Sequence, residues 1–190
     1  QVKQVFKNCR LIGRRFRLAH VVFGREIIEV ATFRGHHSGG EEEENIPTGV
    51  RSDHGQILRD NVYGTIEEDA ERRDFTINAM ALRLPDKTFV DPFDGLGDLL
   101  AGVIRTPGKP EDSFSDDPLR MLRAARFASQ LGFEIEPDTF AAMKSMASRI
   151  EIISAERVQQ ELTKLMLGKF PRKGLTALVD SGLAAIVLPE

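Results

Sequence analysis

The sequence predicts an α+β protein of two domains, with a mixed or antiparallel sheet and helices in the first and only helices in the second. Over residues 10–34, β-branched and aromatic residues alternate with charged ones, as in strands. After residue 116, apolar residues recur at helical spacing. A length of 190 residues with 41% hydrophobic content is sufficient for two small domains.

Composition excludes several classes of protein. The single cysteine, Cys9, excludes an intramolecular disulfide framework and a cysteine-based zinc site. No apolar run approaches the roughly 18 residues of a membrane span, and the N-terminus has no continuous apolar segment typical of a signal peptide. We therefore expect a soluble, cytoplasmic protein. The chain lacks a starting Met, so we also expect it to be part of a longer protein.

The net charge of −3 conceals two oppositely charged segments. Residues 1–36 carry a net charge of +6, whereas residues 37–71 carry −8. The basic segment suggests a polyanionic partner. An edge strand protected by Lys and Arg would look the same, so charge alone leaves both interpretations open.

The segments "RLIGRRFRLAHVVFG" and "REIIEVATFR" predict two strands joined as a hairpin at Gly24-Arg25. The following stretch, "GHHSGGEEEENIPTGVRSDHG", has no apolar periodicity and predicts a loop. It contains three histidines: His36, His37 and His54. A metal site there would require further ligands that the loop does not clearly offer.

Thr65 and Glu68 have the spacing of a capping box and predict the start of a short acidic helix. Further on, "KTFVDPFDGLGDLLAGVIRTPG" predicts a strand, a turn at Asp94-Gly95, a short helix and another extended piece. This unit closes the first domain, whose boundary we predict near residue 112.

Asp74 is placed to cap a predicted second helix that runs through Ile77, Met80 and Ala81. A functional interpretation also exists, because "RRD" sets two guanidiniums and a carboxylate beside a helix N-terminus. Backbone N–H groups and the helix dipole favour phosphate at such a position. The tripeptide alone does not decide between these two roles.

The second domain is predicted to be all helical. Gly132 and Gly168 fit helix stops, and Ser154 fits an N-cap. The predicted helical segments are residues 117–131, 137–148, 154–167 and 172–183.

Three arginines recur at three-residue spacing in "SDDPLRMLRAARFASQLG". With Asp117 as N-cap and Pro118 at the first helical position, Arg120, Arg123 and Arg126 fall within an arc of about 120°. A solvated basic face is the ordinary explanation. However, three guanidiniums without interleaved acids repel one another, so we expect a triphosphate or an RNA backbone nearby.

Four ordered motifs carry a resemblance through nearly the whole chain: "IEVATFRGHH", "IEEDAERRDFTINAMAL", "DPFDGLGDLLAGVIRTPG" and "DDPLRMLRAARFASQLGF". They resemble the bacterial class II nucleotidyltransferases, which include CCA-adding tRNA nucleotidyltransferases and bacterial poly(A) polymerases. The resemblance implies part of a nucleotidyltransferase head domain at residues 1–112. It also implies a helical neck domain at residues 113–190 that binds nucleotide and RNA.

The family's neck motif is Glu-Asp-x-x-Arg, and Asp116, Asp117 and Arg120 occupy it in this chain. The resemblance implies that Asp117 and Arg120 bind the base of the incoming nucleotide. Adenine and cytosine both present an amine donor beside a ring nitrogen acceptor, which a carboxylate and a guanidinium can match. The resemblance further implies that Arg73, Arg123 and Arg126 bind the triphosphate.

Family members use Mg²⁺ bound by an Asp-x-Asp pair after a Gly-Ser or Gly-Gly turn, and residues 1–28 contain neither motif. We therefore predict that this polypeptide alone is not catalytic. Glu29 resembles the third acidic residue of the active site and a tentative metal ligand, and Asp74 a catalytic or ribose-contacting group. Their alternatives are an outward-facing strand glutamate and a helix cap.

The branch of the family is read from two conflicting segments. "LIGRRFRLAHV", with Arg14, Arg15 and His20, resembles the signature of bacterial poly(A) polymerases, and the basic pair is the predicted RNA contact. The second half is more similar to CCA-adding enzymes. We favour addition of AMP from ATP to RNA 3′ ends, of mRNA or tRNA. CCA addition from CTP and ATP, or a noncatalytic RNA- or nucleotide-binding fragment, remains open.

Overall fold

The structure is a computed structural model that describes residues 1–13, 18–35, 63–84 and 86–188. Its helices and small sheets confirm the predicted α+β class. By compactness the chain divides into a first unit, Gln1–Asp69, and a second unit, Ala70–Glu190. The predicted head and neck boundary near residue 112 does not coincide with this division. Within the described residues, no helix combines the length and apolar character needed to cross a membrane.

The first unit contains a three-stranded antiparallel sheet in the order β1-β2-β3. After a short helix, α1 (Val2–Val5), the strands are β1 (Cys9–Ile12), β2 (Leu18–Phe23) and β3 (Glu26–Val30). The predicted hairpin is confirmed, since Phe23 pairs with Glu26 across Gly24-Arg25. The single strand predicted before it is wrong. Gly13 has a φ of +89°, a left-handed conformation that ends β1 before β2 begins.

The predicted capping box begins helix α2 (Ile66–Glu71). The Thr65 N–H donates to Glu68 Oε2 at 2.7 Å, and the Glu68 N–H donates to Thr65 Oγ1 at 3.2 Å. These reciprocal bonds satisfy two backbone donors at the start of the helix. The capping box is therefore confirmed.

The helix predicted after Asp74 is wrong. Residues Thr76–Asn78 form one 3₁₀ turn, and the chain then enters β4 (Ala81–Arg83), which pairs with β5 (Thr88–Val90). Tertiary contacts explain the difference. The Thr76 hydroxyl donates to Asp98 Oδ2 at 2.7 Å, and the backbone of Gly95 lies so close that a Cβ there would be 2.2 Å from the Thr76 carbonyl oxygen.

The predicted strand, turn, helix and extended piece are confirmed as β5, helix α3 (Gly95–Ala101) and β6 (Val103–Ile104). The turn at Asp94 has a positive φ of 54°. Asp91 supplies the N-terminal hydrogen bonds of α3, because its carboxylate accepts from Gly95 N at 2.7 Å and Leu96 N at 2.9 Å. β6 pairs in parallel with β7 (Glu134–Ile135).

Helices dominate the remainder of the second unit and confirm the predicted segments, with two differences. Helix α4 occupies a stretch for which no helix was predicted, and the last predicted segment divides at Gly182, whose φ is +82°. The predicted helix stop at Gly132 is confirmed by its φ of +74°. The helices are α4 (Pro110–Asp116), α5 (Leu119–Leu131), α6 (Pro137–Met146), α7 (Ala155–Met166), α8 (Pro171–Asp180) and α9 (Leu183–Val187).

Among the described residues, a single cluster of buried apolar side chains forms the core of the second unit. Phe75, Ile104 and Phe114 are fully buried with Met121 of α5, so residues on both sides of the predicted boundary share that core. Helix α5 packs against α7 and α8. Helix α8 approaches α5 closely at Gly174, where a side chain would not fit. A Cβ at this position would lie 2.8 Å from the Ala125 carbonyl oxygen.

We predict that Gly174→Ala destabilises the protein although alanine favours helices. Overpacking costs about 1–3 kcal/mol, against about 1 kcal/mol gained by replacing Gly with Ala inside a helix. The expected net loss in the free energy of unfolding is therefore up to about 2 kcal/mol, measured by urea denaturation. The matched control is Gly108→Ala, whose Cβ would meet nothing closer than 3.7 Å. Equal stability of the two variants would contradict the prediction.

Candidate functional site

The predicted site residues fall in both compact units. Glu29 lies in the first unit, and Arg14 and Arg15, the predicted RNA contacts, lie outside the described residues. The loop histidines at positions 36, 37 and 54 also lie outside them. The second unit contains Arg73, Asp74, Asp117, Arg120, Arg123 and Arg126.

Glu29 lies opposite His20 in the β2–β3 register. His20 Nε2 is 2.9 Å from Glu29 Oε1, while the glutamate side chain stays 62% exposed. Over residues 1–13, 18–35, 63–84 and 86–188, no group of three or more His, Cys, Asp or Glu side chains is arranged to hold a metal ion. The described residues therefore do not form a magnesium site by themselves.

The arginine row on α5 is neutralised from within the protein. Arg123 pairs with Asp74, and Arg126 pairs with Glu161 of α7. The acids that the local sequence lacks thus come from segments distant along the chain. The row therefore does not require an outside anion for its relief, and the expected contact with a triphosphate or RNA backbone stays a prediction.

Asp74 and Arg123 form a half-buried ion pair. Arg123 Nε donates to Asp74 Oδ2 at 2.8 Å, and Nη2 of the same guanidinium also donates to that oxygen. Asp74 Oδ1 accepts from Phe75 N at 2.9 Å and from Asn78 Nδ2 at 3.0 Å. Burial alone raises the pKa of Asp74, but Arg123 and these hydrogen bonds outweigh it, so the pKa lies below its ordinary value.

Arg126 is the most buried arginine of the row. Its Nε lies 2.6 Å from Glu161 Oε2, with side chains only 10% and 6% exposed, and its Nη1 donates to Gln130 Oε1 at 2.8 Å. The guanidinium also lies 4.1 Å from the centre of the Phe127 ring, within cation–π range. Burial lowers the pKa of Arg126, and Glu161 opposes that effect. These contacts join α5 to α7.

Arg120 binds oxygen acceptors of two residues, Ser113 and Arg72. Its Nη1 donates to Ser113 Oγ at 2.7 Å, and its Nη2 donates to the Arg72 carbonyl oxygen at 2.7 Å. Burial lowers the pKa of Arg120, whereas Asp117 and Asp74 raise it. A guanidinium has five N–H donors, so these two contacts fix its position and leave other donors for a ligand.

Asp117 lies at the junction of α4 and α5. Its Oδ1 accepts from Leu119 N at 3.3 Å, so it caps α5 much as predicted, although the helix begins one residue later. Its Oδ2 accepts from Arg157 Nη2 of α7 at 2.9 Å. A carboxylate has about four lone-pair sites, so Asp117 keeps capacity to accept from a base.

The helix N-terminus that the functional interpretation of "RRD" invoked does not form after Asp74. Only a 3₁₀ turn follows Asp74, and the Phe75 N–H already donates to the Asp74 carboxylate. Arg73 remains exposed at this position. Any phosphate contact here therefore depends on side chains and not on a helix dipole.

Sequence reasoning missed three supporting residues: Ser113, Arg157 and Glu161. Arg157 and Glu161 lie four residues apart on α7 and so on one face of that helix, the spacing that could have signalled a charged contact with α5. Ser113 lies outside the predicted helical segments. Its helical conformation in α4 is what brings its hydroxyl to Arg120.

Two curated relatives show the two branches of similarity. Poly(A) polymerase I of Salmonella typhimurium is 51% identical over 166 residues, which is 87% of this chain and 35% of the relative. The CCA-adding enzyme of Limosilactobacillus fermentum is 53% identical over 119 residues, which is 63% of this chain and 30% of that enzyme. The chain thus spans about a third of the length of these relatives.

The fold is also similar to a solved structure. The crystal structure of the Bacillus stearothermophilus CCA-adding enzyme in complex with CTP matches with a TM-score of 0.77 and 34% sequence identity. The match covers 96% of this chain and 40% of that enzyme.

Two family descriptions match successive parts of the chain. The family "Probable RNA and SrmB- binding site of polymerase A" matches residues 132–190. The family "Poly A polymerase head domain" matches residues 1–105, more than half of the chain. The chain therefore belongs to the poly(A) polymerase head-domain family of nucleotidyltransferases.

Proposed function

We propose that the protein containing this chain adds AMP from ATP to RNA 3′ ends without a template, as a poly(A) polymerase. One observation carries the proposal: the Asp117 carboxylate and the Arg120 guanidinium are both anchored by the protein while each keeps hydrogen-bonding capacity. The similarity to poly(A) polymerase I supports the choice of ATP. Because its substrates would be ATP and RNA, we place the proposed reaction in the cytoplasm.

The anchored pair has the chemistry to select a base. A carboxylate accepts a hydrogen bond from the exocyclic amine of adenine, and a guanidinium donates one to the adjacent ring nitrogen. Guanine and uracil present the opposite order of donor and acceptor. A correct bidentate match is worth about 1–3 kcal/mol, so the pair excludes those bases by about one or two orders of magnitude.

The Asp117 and Arg120 pair is called the base reader below. The triphosphate is proposed to bind arginines other than Arg120. Arg123 is 32% exposed and is held by Asp74, so a phosphate can share its guanidinium without burying a new charge. Arg73 and Arg126 complete the proposed set, with much of the Arg126 guanidinium already engaged by Glu161 and Gln130. Asp74 would then position Arg123 and contact the substrate beside it.

Magnesium is the proposed metal, because divalent ions stabilise attacking and leaving oxygens in nucleotidyl transfer. Glu29 is the proposed ligand from the first unit. Since the described residues do not form a metal site, we assign no catalytic step to the ion. We keep the prediction that the 190-residue chain alone does not extend RNA.

CCA addition is the second candidate, favoured by the 53% identity to the Limosilactobacillus CCA-adding enzyme over 119 residues. Cytosine carries the same amine and ring nitrogen pattern as adenine, so the Asp117 and Arg120 pair accepts both bases. The base reader therefore cannot separate the two functions. The RNA primer and the length of the product do.

The deciding experiment gives the gene-encoded protein an oligo(A) primer and a tRNA that lacks its CCA end. ATP and CTP are supplied separately and together with magnesium. Long A tails are expected. Addition that stops after CCA would establish the second candidate, and no extension of either primer would favour a noncatalytic binding protein.

Asp117→Ala tests whether this carboxylate selects the base. Loss of the carboxylate should lower the preference for ATP over GTP by about tenfold or more, because one half of the base match is removed. The preference is measured by equilibrium binding of each nucleotide to the chain. The control is Asp112→Ala, which removes an exposed carboxylate from α4. An unchanged ATP preference in Asp117→Ala would rule out base reading.

We assign Arg157 a positioning role, because it contacts Asp117. Arg157→Ala should reduce the preference for ATP over GTP by about threefold to tenfold, a fraction of the 1–3 kcal/mol match, because the carboxylate loses its anchor. Arg157→Lys should restore part of it. Lys164→Ala is the control, since it removes a cation from α7 that pairs with Glu161 instead. A general loss of affinity for all nucleotides, without loss of preference, would show that Arg157 is merely structural.

The ion pair of Asp74 and Arg123 should make the stability of the protein depend on pH. Because the pKa of Asp74 in the folded protein lies below 3.8, its stabilising contribution is complete well above that value and is lost as pH falls below it. Asp74→Asn should lower the free energy of unfolding by about 1.5–3 kcal/mol at pH 7. The difference from wild type should shrink under acidic conditions, measured by urea denaturation between pH 7 and about pH 3. Glu151→Gln, at an exposed position, is the control, and a difference that is independent of pH would contradict the ion-pair assignment.

A further inference from the structure

A second concave site lies in the helical region, between β7, α6 and the start of α8. It is a cavity of about 600 Å³, lined by the rings of Phe133, Phe140 and Phe170. This volume lies within the range of small-ligand sites. Its residues belong to the second unit alone, and the arginine row of α5 does not line it.

The backbone fixes the most exposed of these rings. The Phe170 N–H donates to the Ser129 carbonyl oxygen at 2.7 Å. Its ring lies against Gly132, where a Cβ would be 2.9 Å from the ring. Despite these contacts, Phe170 is 47% exposed. An aromatic face whose backbone is anchored is therefore presented to solvent.

Cations surround the aromatic lining. Lys173 Nζ donates to the Gly132 carbonyl oxygen at 2.7 Å and pairs with Glu134. Lys169 and Arg172 are exposed and form no ion pair with another described residue. Asp180 on the rim likewise has no ion pair in the described part of the chain, and it offers an acceptor for an amino group. The lining thus combines ring faces, two cations without an ion pair among the described residues, and the Asp180 carboxylate as an acceptor.

We propose that this cavity binds one unstacked base of a single-stranded RNA, with Lys169 and Arg172 contacting the flanking phosphates. Bases stack on aromatic side chains in single-strand binding sites, while neighbouring cations follow the backbone. The proposal rests on the proposed function and deepens it, because it assigns a site for the RNA substrate in addition to the incoming nucleotide. A carboxylate acceptor on the rim favours adenine or cytosine, which carry an exocyclic amine.

The position along α5 suits an RNA segment close to the reacting end. Ala128 lines the cavity and follows Arg120 by eight residues on this helix, which is about 12 Å of axial rise. Stacked nucleotides rise about 3.4 Å each, so this distance corresponds to about three or four nucleotides. The base in the cavity would thus lie a few nucleotides upstream of the 3′ end.

The test uses oligoadenylates that carry one 2-aminopurine, a fluorescent adenine analogue, bound to the whole chain. The fluorescence should rise on binding, because the 2-aminopurine leaves its adenine neighbours, which quench it. Phe170→Ala should abolish this rise and weaken binding about fivefold to a hundredfold. Leu100→Ala is the matched control, because Leu100 is an exposed apolar residue outside the cavity. Urea denaturation confirms that each variant is folded.

A second variant keeps the test decisive if Phe170→Ala fails to fold. The double variant Lys169→Glu and Arg172→Glu changes only exposed side chains. It should reduce the slope of log affinity against log salt concentration by about 0.7 for each phosphate that the protein no longer neutralises. Lys109→Glu, exposed and outside the cavity, is its control. Unchanged RNA affinity and salt dependence in the folded double variant would overturn the proposal, as would binding of a protein partner at this cavity with no effect on RNA.

Nucleotide selection, measured in the same variants, separates this proposal from the proposed function. The cavity variants should keep the preference for ATP over GTP that Asp117 confers. If wild type shows no such preference but its RNA affinity depends on Phe170, the base reader fails and the RNA site stands. If the preference is present and RNA affinity ignores both cavity variants, the RNA site fails alone.

Discussion

Neutralisation of the arginine row on α5 is the constraint on which the second unit depends. Three guanidiniums on one helical face repel one another unless anions or oxygen acceptors compensate them. Asp74 and Glu161 provide the anions, and Ser113 with the Arg72 carbonyl provides acceptors for Arg120. The partners come from three segments, around residues 72–74, Ser113 and Glu161, so the same contacts that relieve the row also hold those segments around α5.

The three arginines differ in how far they are buried and in how many N–H donors remain for a ligand. Arg126 is nearly buried with Glu161 and mainly joins two helices, whereas Arg123 is partly exposed and can share its charge with a phosphate. Arg120 is fixed through two N–H groups and keeps others. A binding residue that is already ordered loses less side-chain entropy when a ligand arrives. Preorganisation by the core is therefore the physical basis of the proposed base selection.

Helix α5 also connects the two proposed sites of the second unit. Its first turn carries Arg120, and Ala128 near its other end lines the aromatic cavity. The helix is packed against α7 and α8 by the closely approaching Gly174 and by the buried Arg126 pair. A rigid helix would keep the distance between these two proposed sites constant, as the proposed repeated addition of nucleotides requires.

The sequence by itself determined the α+β class, the hairpin at Gly24-Arg25, the capping box at Thr65 and most of the helices, because short-range backbone preferences decide these features. It also indicated the family through motifs whose residues are local. Only the tertiary structure decided that Asp74 precedes a single 3₁₀ turn, and that Arg157 anchors Asp117. Their partners lie about 20 to 50 residues away, and a periodic pattern along the chain contains no information on such distant pairs.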